Sequence, residues 1–170
     1  TLEHACRVLG LRHGPVHAEA RLNDRGVVLL EVAPRTIGGL CSRIFEFSSG
    51  ISLEALVQRH ALGEKVAASN LICSPAGVMM IPVPGTGILT SIEGVDQARR
   101  VPGIVEVSIT AEVMNMLVAL PEGASYPGFI FARGATVGEV ETSLRQAFAA
   151  LHLEISPTLS VAGEYTTACG

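Results

Sequence analysis

The order of apolar and polar positions predicts short alternating strands interleaved with short amphipathic helices. Residues 2–11 set Leu2, Ala5, Cys6 and Leu9 on one helical stripe, and Gly10 marks its stop. After Gly14-Pro15 the chain alternates strictly over residues 16–22. Val16, Ala18, Ala20 and Leu22 point one way; His17, Glu19 and Arg21 point the other. Asn23-Asp24-Arg25-Gly26 predicts a turn, with a second strand over 27–32. A loop over 34–39 leads to helices over 41–49 and 52–62, the second N-capped by Ser52 and ended by Gly63. Residues 71–92 read as short strands cut by Pro75, Gly77, Pro82, Pro84, Gly85 and Gly87.

Beyond that point the periods switch between two and 3.6. Strands are expected over 88–92, 104–109, 116–120, 129–132 and 152–155, with a short helix over 95–100. The clearest helix covers 136–151. Thr136 and Glu139 have capping-box spacing, and Val137, Val140, Leu144, Ala147, Phe148 and Leu151 form its apolar stripe. Strand–helix–strand twice over predicts a ferredoxin-like βαββαβ module over roughly 86–156. The fold class is therefore α+β, with a first unit over 1–70, a second over 71–156 and a loose tail over 157–170.

Composition narrows the function. Of 170 residues, 48% are apolar and 16% charged, enough to build a core and too apolar for a disordered chain. The net charge of −4 argues against nucleic acid as a partner, since that binding runs on many Lys and Arg. No apolar run reaches the roughly 18 residues of a membrane helix, so no membrane partner is expected. The four cysteines lie far apart without a CxxC spacing, which points to reduced thiols of a cytoplasmic protein rather than a zinc site. With no signal peptide or lipidation motif, and an opening inside helical sequence, a fragment of a longer protein is expected.

The candidate chemistry lies in residues 16–39. With a three-residue loop Asp24-Arg25-Gly26, Asn23 pairs with Val27, Arg21 faces Leu29, Glu19 faces Glu31, and His17 faces Ala33. Two carboxylates then meet about 5 Å apart at their Cβ atoms, which is destabilising unless offset. An Arg (Arg21 or Arg35), a shared proton or a divalent cation could offset it; an ion-pair cluster on a solvated sheet face is the plain alternative. After Glu31 the chain runs through Pro34-Arg35-Thr36-Ile37-Gly38-Gly39 towards a helix start. Backbone N–H groups at such a junction attract anions, and Arg35 adds a planar fork. Carboxylates, an Arg and an anion nest in one stretch suit phosphoryl transfer.

The stretch GPVHAEARLNDRGVVLLEVAPRTIGGLCSR, residues 14–43, resembles the last segment of the ATP-grasp fold, above all in L-amino-acid ligases and biotin-carboxylase-like members. That resemblance implies that Glu19 and Glu31 hold Mg²⁺, or Mn²⁺, against the phosphates of ATP. It implies that Arg35 and Gly38 hold the carboxylate substrate and its acyl phosphate, and that Leu30 packs on the adenine. Many members carry Asn two residues after the second Glu; Ala33 stands there, which removes one ligand of a second metal. Residues 50–63 resemble the following helix, and 72–134, with PVPGTGILTSIEGV and GFIFARG, resemble the C-terminal domain of the same ligases. The implied activity is ATP-dependent joining of a small-molecule carboxylate to an amine. The nucleotide-gripping lobes would lie upstream, so the chain alone is expected to be inactive.

Other residues have plainer expectations. His17 reads as an ion-pair partner, Cys41 as a buried thiol near a helix start, and Arg43 as either part of the anion site or one half of a charge pair. Arg99, Arg100 and Arg133 read as solvated, and Met79, Met80, Met114 and Met116 as gap fillers. Pro82-x-Pro84-Gly85-x-Gly87 reads as a bend. The rival reading is a non-catalytic, ferredoxin-like module that binds a small ligand, regulates, or pairs edge to edge as a homodimer.

Overall fold

A short helix and a hairpin open the structure. The computed structural model describes residues 1–66, 74–123 and 126–158. Helix α1 (Leu2–Val8) precedes the antiparallel strands β1 (His17–Asn23) and β2 (Gly26–Ala33), which form a two-stranded sheet of their own. The turn differs from expectation. Asn23 pairs with Gly26, so the loop is the two residues Asp24 and Arg25. The Asn23 side chain accepts the Arg25 N–H at 2.8 Å, and Gly26 takes φ +115°, where a side chain would be strained. Arg21 therefore faces Val28 rather than Leu29.

After β2 the chain makes a single 3-10 turn, Cys41–Arg43, then α2 (Ile44–Ser49) and α3 (Leu53–Ala61). Gly50, at φ +76°, ends α2, and the Ser52 hydroxyl accepts the Ala55 N–H to start α3. The strand expected at 71–73, with Cys73, lies outside the described residues, as do Cys169 and the tail from 159 onward.

Two three-stranded antiparallel sheets follow. One runs β3 (Ala76–Met80), β7 (Gly128–Arg133), β5 (Ile104–Ile109). The other runs β6 (Met116–Leu117), β4 (Gly87–Glu93), β8 (His152–Ser156). Helix α4 (Val95–Arg99) follows β4, and α5 (Val137–Ala150) follows β7. Strand β6 is shorter than the 116–120 expected. The ferredoxin-like order needs β8-β4-β7-β5. Its outer pairs are present, but β7 takes β3 on its free edge and β4 takes β6, so β4 and β7 do not pair among the described residues.

Sheet β3-β7-β5 is covered on both faces. Ile130 and Ala132 of β7 and Val107 of β5 join Ala98 of α4 and Val140, Leu144, Ala147 and Leu151 around α5 in the main core. Val137, expected in that stripe, is exposed at the first turn of α5. Phe129 and Phe131 point the other way, where Phe131 meets Phe47 of α2 at 5.1 Å between ring centroids. Burial on both faces explains why Gly128–Arg133 reads as an unbroken apolar run rather than an alternating one. The α5 cap is a shifted box: the Thr136 hydroxyl accepts the Glu139 N–H, while the Glu139 carboxylate accepts from Ala135 rather than from Thr136.

Candidate active site

The hairpin brings its two acids together by a route the sequence pattern conceals. From Asn23↔Gly26 to Ala20↔Leu29 the ladder runs in one register, which by itself would set Glu19 against Leu30. The register shifts between Glu19 and Ala20, and beyond it the pairs are Glu19↔Glu31, Ala18↔Val32 and His17↔Ala33. Leu30 is the extra residue of a β-bulge. Bulges bend the strand and re-aim side chains, and they recur beside active sites. Opposed partners share one face, so the Glu19 and Glu31 carboxylates face the same side with Cβ atoms about 5 Å apart.

Both acids remain open to solvent, with side-chain exposures of 56% for Glu19 and 47% for Glu31. His17 Nε2 lies 3.4 Å from Glu19 Oε1, and Arg35 Nη2 lies 3.3 Å from Glu31 Oε1. Each contact uses one carboxylate oxygen. The Oε2 atoms of the pair make no hydrogen bond among the described residues. No three His, Cys, Asp or Glu side chains converge as a closed metal cage among those residues. A cation here would take two carboxylates from the protein and its other ligands from phosphate and water, which is how Mg²⁺ is ordinarily held. The donor set fits that ion. Ala33, opposite His17, adds no side-chain ligand.

Arg35 sits beyond the end of β2 and turns back on its own strand: Nη1 donates to the Thr36 carbonyl at 3.1 Å while Nη2 reaches Glu31. Gly38 is exposed, and a Cβ built on it would meet nothing within 4 Å. Packing does not demand glycine there, but a bare backbone leaves room for close approach by a ligand. The helix start expected after Gly39 is one 3-10 turn ahead of the six-residue α2, so the dipole behind this loop is small. Leu30 is 62% exposed beside Glu31, an apolar side chain presented to solvent.

The remaining candidates separate. Arg43 is not free to bind an anion: its guanidinium grips Glu106 of β5 through two parallel bonds, Nη1–Oε1 at 2.5 Å and Nη2–Oε2 at 2.7 Å. Hydrogen bonding to Glu106 raises its pKa further. Burial pushes the Cys41 thiol up, so the helix start does not activate it. Arg99 is tied to Asp96 and to the Val107 carbonyl, while Arg100 and Arg133 are exposed. Sequence reasoning missed Glu106 and the hydrogen bond from buried Ser42 to Glu54 at 3.1 Å. The signal for Glu106 is a lone acid inside the apolar run IVEVSI.

An ATP-grasp domain model matches residues 1–44, and the model for L-amino acid ligase C-terminal domain 2 matches residues 79–156. The crystal structure of an L-amino acid ligase from Bacillus licheniformis is similar at TM-score 0.78 and 27% identity, over 91% of this chain and 39% of that one. The crystal structure of phosphoribosylglycinamide synthetase from Anaerococcus prevotii shares the fold at TM-score 0.71 and 19% identity, over 91% of this chain and 40% of that one. Among curated sequences, "Uncharacterized protein y4rH" of Sinorhizobium fredii is 24% identical over 156 residues, 92% of this chain and 33% of that protein. The chain thus spans about a third of the curated relative it matches. Both matched stretches resemble the ATP-grasp ligases, residues 1–44 an ATP-grasp domain and residues 79–156 C-terminal domain 2 of the L-amino acid ligases.

Proposed function

We propose that this chain is the C-terminal part of an ATP-dependent carboxylate–amine ligase, and that Glu19, Glu31, Arg35, Gly38 and Leu30 are its share of the active site. The observation that carries the reading is the opposition of Glu19 and Glu31 on one open face with Arg35 beside them. In the reaction a carboxylate oxygen attacks the γ-phosphorus of ATP, ADP leaves, and an acyl phosphate forms. An amine then attacks the acyl carbon, phosphate leaves, and the amine gives up a proton. Bound Mg²⁺ would neutralise charge on the phosphates. Glu19 and Glu31 would hold that ion. Arg35 can swing its fork from Glu31 to the substrate carboxylate and the transferring phosphoryl group. The Gly38 and Gly39 amides stabilise the same charge, and Leu30 packs on the nucleotide base.

The exposed apolar surface of the hairpin supports a larger protein. Leu22, Val27, Val28 and Leu30 are exposed on two strands that would be marginal alone. The nucleotide-gripping lobes would cover them. We divide the chain at 70/71 and read the second unit as a ferredoxin-like arrangement opened by β3 and β6, closing over the site. A ligase drawing on cellular ATP and small-molecule acids and amines belongs in the cytoplasm. No helix among the described residues is long and apolar enough to cross a membrane.

The metal assignment is tested on the full chain by thermal melting with Mg²⁺ or Mn²⁺ and ADP. Ligand at a hundred times its Kd stabilises by about 2.7 kcal/mol. A metal-dependent rise in Tm is expected, and Glu19→Gln and Glu31→Gln should each remove it. An equal rise in both variants would overturn the assignment.

A further inference from the structure

We propose that Arg43 and Glu106 act as a positioning pair that fixes the exit of the Arg35–Gly39 loop against the C-terminal sheet, and so sets where the loop's amides and Arg35 stand. The inference rests on the ligase reading of that loop. Among the described residues, the stretch from Thr36 to Leu40 sends no hydrogen bond to the rest of the fold. Its exit is held at Ser42, which donates to Glu54 of α3, and at Arg43, which grips Glu106.

The Arg43 anchor is built with more precision than a surface ion pair needs. The guanidinium lies 5.3 Å from the centroids of both Phe47 and Phe131. Those rings lie against it, and the two parallel bonds to Glu106 set its orientation. Phe129, on the same face of β7, stands where a Cβ on Gly39 would lie 3.7 Å from its ring, so the loop passes over the sheet just before the anchor.

Glu106 is aimed at Arg43 by a second bulge. Ile104 pairs with Ala132, then the register shifts and Glu106 pairs with Phe131. A regular ladder would set Glu106 against Ile130, on the face that packs into the main core. Val105 is the extra residue, and its insertion turns the acid to the Phe131 face. A carboxylate turned into that core would have no partner, so the bulge and the pair require one another.

The full chain tests this without turnover. Backbone amide order parameters are read at residues 36–41 and at β7 and α5, beside the melting temperature, for Arg43→Lys, Arg43→Met and Glu106→Gln. Those at 36–41 should fall from about 0.85 towards about 0.6 in Arg43→Met and Glu106→Gln while β7 and α5 stay rigid, with Arg43→Lys falling between because it keeps the charge without the fork. Unchanged order parameters at 36–41, or a fall shared equally by β7 and α5, would overturn the positioning role and leave an ordinary stabilising pair. Inorganic phosphate is added in a second arm. Movement of the Gly38 and Gly39 amide resonances in the parent chain, weakened in Glu106→Gln, ties the anchor to the anion loop. Phosphate that moves neither resonance, with the fall at 36–41 intact, would count against the ligase reading of the loop and not against the anchor.

Discussion

Glu19 and Glu31 stand opposite one another across β1 and β2 because Leu30 drops out of the ladder between them. The hairpin turn is one residue shorter than the pattern predicts, and the bulge restores the register that the short turn removes. Two local features of opposite sense produce one acidic face.

That relationship separates the bulge at Leu30 from the base contact we propose for it. Deleting it leaves Glu31 opposite Glu19 in a regular ladder, with the pairs on either side unchanged. The metal-dependent rise in Tm should therefore survive the deletion. Affinity for ADP, measured by calorimetry with Mg²⁺ present, should fall about tenfold, as befits one lost apolar contact. Loss of the metal response together with ADP binding would show that the bulge itself shapes the metal site.

In the ligase to which we assign the chain, Glu31→Ala should lower turnover about a hundredfold or more, the scale of a lost electrostatic group in an active site. Arg35→Lys should also lower it, because Lys supplies a point charge in place of a planar fork. Phosphate release in the presence of ATP, an acid and an amine reads both. Full turnover by Arg35→Lys would remove Arg35 from the reaction.

Gly94 is a packing requirement as well as a turn. It caps the start of α4 at φ +80°, and a Cβ there would lie 1.8 Å from the Ala150 carbonyl oxygen at the end of α5. Gly94→Ala should destabilise the fold by about 2 kcal/mol or more, since both the left-handed backbone and the contact must give. Urea unfolding measures it; a loss under a few tenths of a kcal/mol would contradict the close approach.

Glu54 supplies a pH test of the contact between the 3-10 turn and α3. Its own backbone N–H and the Ser42 hydroxyl hold its carboxyl below the usual carboxylate range. A depressed pKa means that the fold favours the ionised form. Its contribution is complete above the ordinary Glu pKa and is lost as pH falls through the lowered value. Ser42→Ala should move the Glu54 midpoint upward in a carbon-detected NMR titration. Equal midpoints in parent and variant would show that Ser42 does not stabilise the carboxylate.

Much of the fold was legible one segment at a time. The Thr136–Glu139 spacing started α5, Ser52 started α3, and strict alternation produced β1, because caps and periods are local physics written in adjacent residues. The stripe Val140, Leu144, Ala147 was equally readable. Strand pairing was not. The ferredoxin-like outer pairs β4-β8 and β5-β7 formed, yet the edges of β4 and β7 went to β6 and β3, a choice among many pairings of similar local merit.

By itself the sequence determined the element types, the acids at 19 and 31, the arginine at 35 and the glycines that follow, the residues on which the proposed chemistry rests. Only the tertiary structure decided which residue bulges, and a bulge changes the face of everything beyond it. Leu30 places Glu31 against Glu19, and Val105 places Glu106 against Arg43, each by one unpaired residue. Side chains alternate with a period of two, so a shift of one reverses which side is presented. The alternation within one strand carries no record of where its partner slips.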